Sequence, residues 1–198
     1  MKISILDKLL RSKKTVFSFK EILLLSGEAD PKKIIKRLSY YGKSGDLYHI
    51  RRGLYSKDKN YNRLEVATKI ITPAYISFET VLRNKGIIFQ FYSQIFVAST
   101  HTRNITCDGQ EYVFRTIKYS ILSNPIGVDI GDLYSIASAE RAYLDMLYIY
   151  SDYYLDNPSP LNWEVVYEIL PIYENKRMKK VVDRHYSLYQ ESLKENAR

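Results

Sequence analysis

Asp30-Pro31-Lys32-Lys33-Ile34-Ile35-Lys36-Arg37-Leu38-Ser39-Tyr40-Tyr41-Gly42 is the stretch on which the reading of this chain turns. Aspartate followed by proline is a helix start, Asp30 as N-cap and Pro31 at the first helical position. At helical spacing Ile34, Leu38 and Tyr41 form one apolar stripe, with Ile35 beside it. Lys32, Lys33, Lys36, Arg37, Tyr40 and Lys43 fall on the other faces. The spacing predicts a helix from about Pro31 to Gly42, apolar inside and basic outside.

The flanking residues fit the same plan. Ile3, Leu6, Leu9 and Leu10 recur at helical spacing and predict a first helix. Ser18 and Glu21 form a Ser-x-x-Glu capping box, and Phe17 with Ile22 occupies hydrophobic-staple positions, so a second helix starts at Ser18 and continues through Leu23, Leu24 and Leu25. Ser26-Gly27-Glu28-Ala29 is a short turn. Two helices joined by a Gly-containing turn, the second one basic, match a helix-turn-helix, whose second helix enters the DNA major groove. Leu47-Tyr48-His49-Ile50, Arg51-Arg52-Gly53 and Leu54-Tyr55-Ser56 read as strand, tight turn and strand, the wing of a winged helix. Arg51 and Arg52 at its tip would reach phosphate or a minor groove.

Charge is concentrated at this end. Residues 1–60 carry fifteen Lys/Arg against six Asp/Glu, a balance of +9, and residues 61–198 carry fifteen against sixteen, a balance of −1; together they give the +8 of the chain. A basic head on a neutral body predicts a polyanion-binding module, with duplex DNA the expected partner, and a separate second domain. The DNA-binding residues expected are Lys32, Lys33, Lys36, Arg37, Tyr40, Lys43, Arg51 and Arg52. Lys33, Arg37 and Tyr40 are the candidates for base readout; phosphate contacts would set affinity rather than sequence choice.

The 45% hydrophobic content allows a sizeable core. The single cysteine, Cys107, forms no intramolecular disulfide, and no apolar run approaches the ~20 residues of a membrane span. A soluble cytoplasmic protein with no membrane partner is expected. The polar run Lys57-Asp58-Lys59-Asn60-Tyr61-Asn62 sets the domain boundary, giving residues 1–59 as the winged helix and 60–198 as the second domain. In the latter, helices are predicted over Arg63–Ile71, from Ser77 to Gly86, from Ile136 through Tyr148, over Trp163–Leu170 and from about Glu174 to Leu193. Strands are predicted at Gln94–Ser99, Arg103–Thr106 and Glu111–Lys118, with Asp108-Gly109 as a hairpin turn. The fold class expected is α+β: a winged helix-turn-helix, then a small antiparallel sheet with flanking helices.

Three stretches carry a family resemblance. Ile50-Arg51-Arg52-Gly53-Leu54-Tyr55, Ala74-Tyr75-Ile76-Ser77-Phe78-Glu79-Thr80-Val81-Leu82 with Gly86-Ile87-Ile88, and Ile136-Ala137-Ser138-Ala139-Glu140-Arg141-Ala142-Tyr143-Leu144-Asp145 resemble, in order and rough spacing, the AbiEi-like antitoxins of type IV toxin–antitoxin and abortive-infection systems. The resemblance spans about residues 1–150. It implies a winged helix that binds inverted repeats upstream of its own operon and represses it. It also implies a second domain that counters a nucleotidyltransferase-like toxin without a stable complex. Carried onto this chain, the groove-facing positions are Lys32, Lys33, Lys36, Arg37 and Tyr40, with Arg51 and Arg52 on the wing. No chemical role for Ser77, Glu79, Glu140 or Asp145 follows from it.

Those four residues could form an acid/base or metal cluster, but their local positions explain them as a cap, two first-turn carboxylates and a helix-interior partner for Arg141 or Arg83. His49, His101 and His185 are scattered, with no ligand spacing for zinc, and no phosphate-cradling glycine loop occurs. No enzyme, metal or cofactor is expected. Lys176-Arg177-x-Lys179-Lys180 reads either as a second phosphate patch or as a solvated helix face. Two alternatives to the antitoxin-repressor stand: a protein-interaction module using the tyrosine-rich second domain, and an RNA-binding protein. With no heptad repeat, a monomer or weak dimer cooperating on DNA is expected.

Overall fold

A computed structural model, describing residues 4–196, builds the basic end from three helices and three short strands. Helix α1 (Ile5–Arg11) starts at Ser4, whose Oγ accepts from the Asp7 amide at 3.1 Å while Asp7 accepts from the Ser4 amide. It buries Ile5 and Leu9 and leaves Leu10 47% exposed. Ile3 lies outside the described residues. Strand β1 (Val16–Ser18) runs into α2 (Phe19–Ser26) through the Ser18/Glu21 capping box, with Phe17 and Ile22 buried together. Helix α3 (Pro31–Ser44) runs two residues beyond the expected end, to the Gly45 cap. Strands β2 (Tyr48–Arg51) and β3 (Leu54–Ser56) join through Arg52-Gly53, where Gly53 takes the positive φ of 78° that the two-residue turn requires. The three strands form an antiparallel sheet in the order β1-β3-β2.

That sheet is the wall between two apolar cores. Side chains alternate along a strand, so Phe17 and Tyr55 pack against the smaller core with Leu9, Ile34 and Leu38. Val16 and Leu54, one residue away, turn to the other face and join the larger core of the body.

The body continues with α4 (Arg63–Ile70), β4 (Ala74–Ile76), α5 (Phe78–Asn84), β5 (Ile95–Ser99), β6 (Arg103–Cys107), β7 (Gln110–Thr116) and α6 (Tyr119–Leu122). After these come β8 (Val128–Ile130), β9 (Ser135–Ala137), α7 (Ala139–Ile149), α8 (Trp163–Ile169), a 3-10 turn (Leu170–Tyr173) and α9 (Lys176–Asn196). Helix α7 is buried from Arg141 to Leu147 and packs on α5, α8 and α9. The β6–β7 hairpin turns at Asp108-Gly109, both at positive φ, as a primed hairpin turn demands.

The α+β class holds, but the second sheet is neither small nor purely antiparallel. It has six strands in the order β6-β7-β5-β4-β9-β8, with β5 beside β7 and β4 beside β9 running parallel. Ile136 and Ala137, expected to open a helix, belong to β9 (Ser135–Ala137), and the helix starts behind the Ser138 cap. Three-residue strands carry no period-2 pattern, and both β4 and β9 end against helix starts, whose stronger signals masked them.

Candidate nucleic-acid interface

Helix α3 presents its cations by periodicity. Asp30 Oδ1 accepts from the Lys32 amide at 2.9 Å and fixes the start. Ile34 and Leu38 are buried, Tyr41 is half-buried, and all six polar positions expected to face outward are exposed. At 3.6 residues per turn, Lys32, Lys36, Tyr40 and Lys43 lie within an arc of about 80° opposite the buried stripe. None of these three lysines makes an ion pair among the described residues. Lys33 and Arg37 occupy the next row. There Glu28 Oε1 lies 3.5 Å from Lys33 Nζ. The Asp30 amide first, then the charges of Lys33 and Arg37, hold the Glu28 carboxyl below its usual range. Two of the three candidates for base readout, Lys33 and Arg37, thus lean toward the α2–α3 turn. Tyr40 is 66% exposed, edge-on to Tyr41.

The hairpin separates its two arginines. Arg52 is exposed at the turn. Arg51 is half-buried, its Nη1 enclosed without a hydrogen-bond partner, near enough to Cys107 for its charge to act on the thiol.

Head and body are joined by polar contacts, buried at Glu65 and more exposed elsewhere, that link distant parts of the sequence. Glu65 on α4 is fully buried and accepts from the Thr15 and Val16 amides at 3.1 and 2.8 Å. Lys69 and Lys14 meet Glu21 at 2.7 and 2.9 Å. Burial alone would raise the Glu21 carboxyl; the Lys69 bond, the Ser18 amide and Lys14 outweigh it and hold it at about 2. At the β6–β7 turn, Asp108 accepts from Tyr61 at 2.8 Å and from Tyr48 at 3.1 Å, and Arg63 donates to the Asp108 carbonyl at 2.7 Å. The Tyr61 hydroxyl first, then Tyr48 and the Arg63 charge, hold the Asp108 carboxyl below its usual range.

The residues weighed as an acid/base cluster separate into three places. Asp145 accepts from Tyr173 (2.6 Å), Ser77 (2.7 Å) and Tyr75 (2.9 Å), with Arg141 Nε at 3.4 Å. Burial pushes its carboxyl up, against the Arg141 charge and the three hydroxyls. Glu79 forms a two-pronged pair with Arg115, both bonds 2.7 Å. Glu140 accepts from the Asn162 amide instead. Ser77 makes no side-chain cap, contrary to expectation: its hydroxyl is turned toward Asp145, to which it donates, and the next residue, buried Phe78, sits at φ 55° rather than in helical backbone. Asp145, Arg141 and Ser77 are fully enclosed. Among the described residues no group of His, Cys, Asp and Glu could hold a metal ion, and no helix is long and apolar enough to cross a membrane. Of the 176–180 run, Arg177 donates to the Leu147 carbonyl, and the lysines are exposed.

Sequence reasoning missed Glu65, Asp108, Tyr48, Tyr61, Tyr173 and Arg115 as partners. Glu65 carries only a first-turn position on α4 as a local signal, and its partners lie about fifty residues away.

No family model matches the chain, and no curated protein matches it. Among solved structures it is similar to the Rv2827c protein from Mycobacterium tuberculosis, at 12% identity and a TM-score of 0.46, over 90% of this chain and 75% of that one.

Proposed function

We propose that this chain is a duplex-DNA-binding repressor of the AbiEi-like antitoxin kind. In this reading the head is a winged helix that lays α3 in the major groove and sets Arg52 against a phosphate or minor groove. The observation that carries it is the outward arc of Lys32, Lys36, Tyr40 and Lys43, exposed and, among the described residues, without ion-pair partners. A strongly basic, unpaired helix face gains most from a polyanion, because phosphate contact releases condensed counterions. The antitoxin half rests on the resemblance of the 74–88 and 136–145 motifs. The body would counter a nucleotidyltransferase-like toxin without a stable complex, in the cytoplasm, with monomers cooperating on inverted repeats. No catalytic step is assigned.

Fluorescence anisotropy with the upstream promoter fragment and a scrambled duplex tests the repressor. At least tenfold preference, about 1.4 kcal/mol, is expected; equal binding to both contradicts it.

A protein-interaction reading is favoured by one observation. Phe89, Phe91 and Tyr154 are 69%, 77% and 81% exposed on two loops tied by the Phe89 amide to Asp156. Exposed aromatics of this kind mark interfaces. A stable complex in a pull-down with the neighbouring gene's product would favour this reading; its absence would favour the repressor.

A further inference from the structure

We propose that the β6–β7 turn of the body is the platform that positions the hairpin for DNA, with Asp108 acting through Tyr48 as the positioning residue; this rests on the reading of the head as a duplex-binding module. Two strands with a two-residue turn are marginal as an isolated element. This hairpin, though, is held along its length. Leu54 is buried in the body's core. Cys107 Sγ lies 3.8 Å from the Ile50 carbonyl on β2. The Asp108 carboxylate grips the Tyr48 hydroxyl on β2 and the Tyr61 hydroxyl on the connecting segment, and the two rings stack at 6.2 Å. The cations Lys59 and Arg63 lie over those rings at 5.7 and 5.0 Å. Arg52 stands at the far end of β2–β3; β3 is held on its other side by β1, and the Phe19 amide donates to the Gly53 carbonyl at 2.8 Å, so Tyr48 fixes the free β2 edge of the ribbon that carries Arg52.

Asp108 is at φ 51°, a conformation glycine adopts without strain. Asp108→Gly therefore deletes the carboxylate and leaves a Gly-Gly primed turn intact. Tyr48→Phe removes the hairpin's bond without touching that turn. Both are tested in the full chain by amide hydrogen exchange across Tyr48–Ser56 and by a double-mutant cycle with Arg52→Ala on promoter affinity. Exchange of the hairpin amides is expected to speed up about tenfold in each variant, while α3 amides stay unchanged. Tyr48→Phe is expected to weaken promoter binding about fivefold on its own and to add nothing once Arg52 is alanine. A merely structural contact would give additive losses. Unchanged hairpin exchange in both variants, or additivity in the cycle, overturns the proposal. Failure of the wild type to bind any duplex overturns the functional reading and with it Asp108's part in recognition; the exchange measurement then still decides the clamp.

Discussion

On α3, Lys32, Lys36 and Lys43 stand in solvent without a carboxylate partner among the described residues, whereas in the body Arg141 is fully enclosed and Arg115 mostly buried, each held by several partners. Arg141 donates to Tyr75 and to the Ile121 and Ile126 carbonyls, and Arg115 lies over the rings of Phe78, Phe96 and Tyr150 while holding Glu79. The same residue types do different work. A buried cation needs every partner, because an uncompensated charge in the interior is costly. An exposed, unpaired one contributes almost nothing to stability and remains available to a polyanion. The family-like motifs of the body are therefore explained by packing; the charge asymmetry is not, and in the proposed reading it serves binding.

The hardest test of this contrast removes a buried cation. Arg141→Ala leaves Asp145 enclosed with its charge uncompensated and is expected to destabilise the fold by about 3–5 kcal/mol in urea unfolding. A loss below 1 kcal/mol would show that the hydroxyls of Tyr75, Ser77 and Tyr173 suffice. Glu65→Ala comes next. It strands the buried Thr15 and Val16 amides and should cost about 1–3 kcal/mol, with faster exchange across β1. Loss confined to α4 would mean that head and body are held by the apolar wall alone.

A smaller effect should appear in acid. Glu21 is held at about 2 when folded, below its ordinary 4.5. A lowered carboxyl contributes stability that is complete above about 4.5 and is lost as pH falls from there toward 2. Glu21→Gln should flatten that limb of the stability–pH curve, measured by thermal unfolding; an unchanged limb would move the acid sensitivity to other carboxylates. The smallest stability change belongs to Lys36→Ala, expected within about 0.5 kcal/mol of wild type. Its effect should be confined to binding.

What the sequence made legible follows the range of the interactions. The Ser18/Glu21 box, the Asp30-Pro31 start and the Asp108-Gly109 turn are local, and each stands where the residues place it. The three-residue strands β1, β4, β8 and β9 acquire their identity from neighbours far along the chain, and no alternation announces them. Ser77 shows the conflict directly: its position suggests a cap, but a carboxylate 68 residues away takes its hydroxyl. In the candidate interface, the exposed face of α3 was legible because helical period alone sets it. The different fates of Arg51 and Arg52 were not, since they depend on the β6–β7 turn packed beneath the hairpin.

The most direct test is the salt dependence of promoter binding by the wild type and by Lys32→Ala/Lys36→Ala/Lys43→Ala. The account predicts a log–log slope of roughly −4 to −5 for the wild type, shallower by about 0.9 for each phosphate contact removed, with the melting temperature unchanged. An identical slope in the triple variant would contradict it and place the polyanion contact elsewhere on the protein.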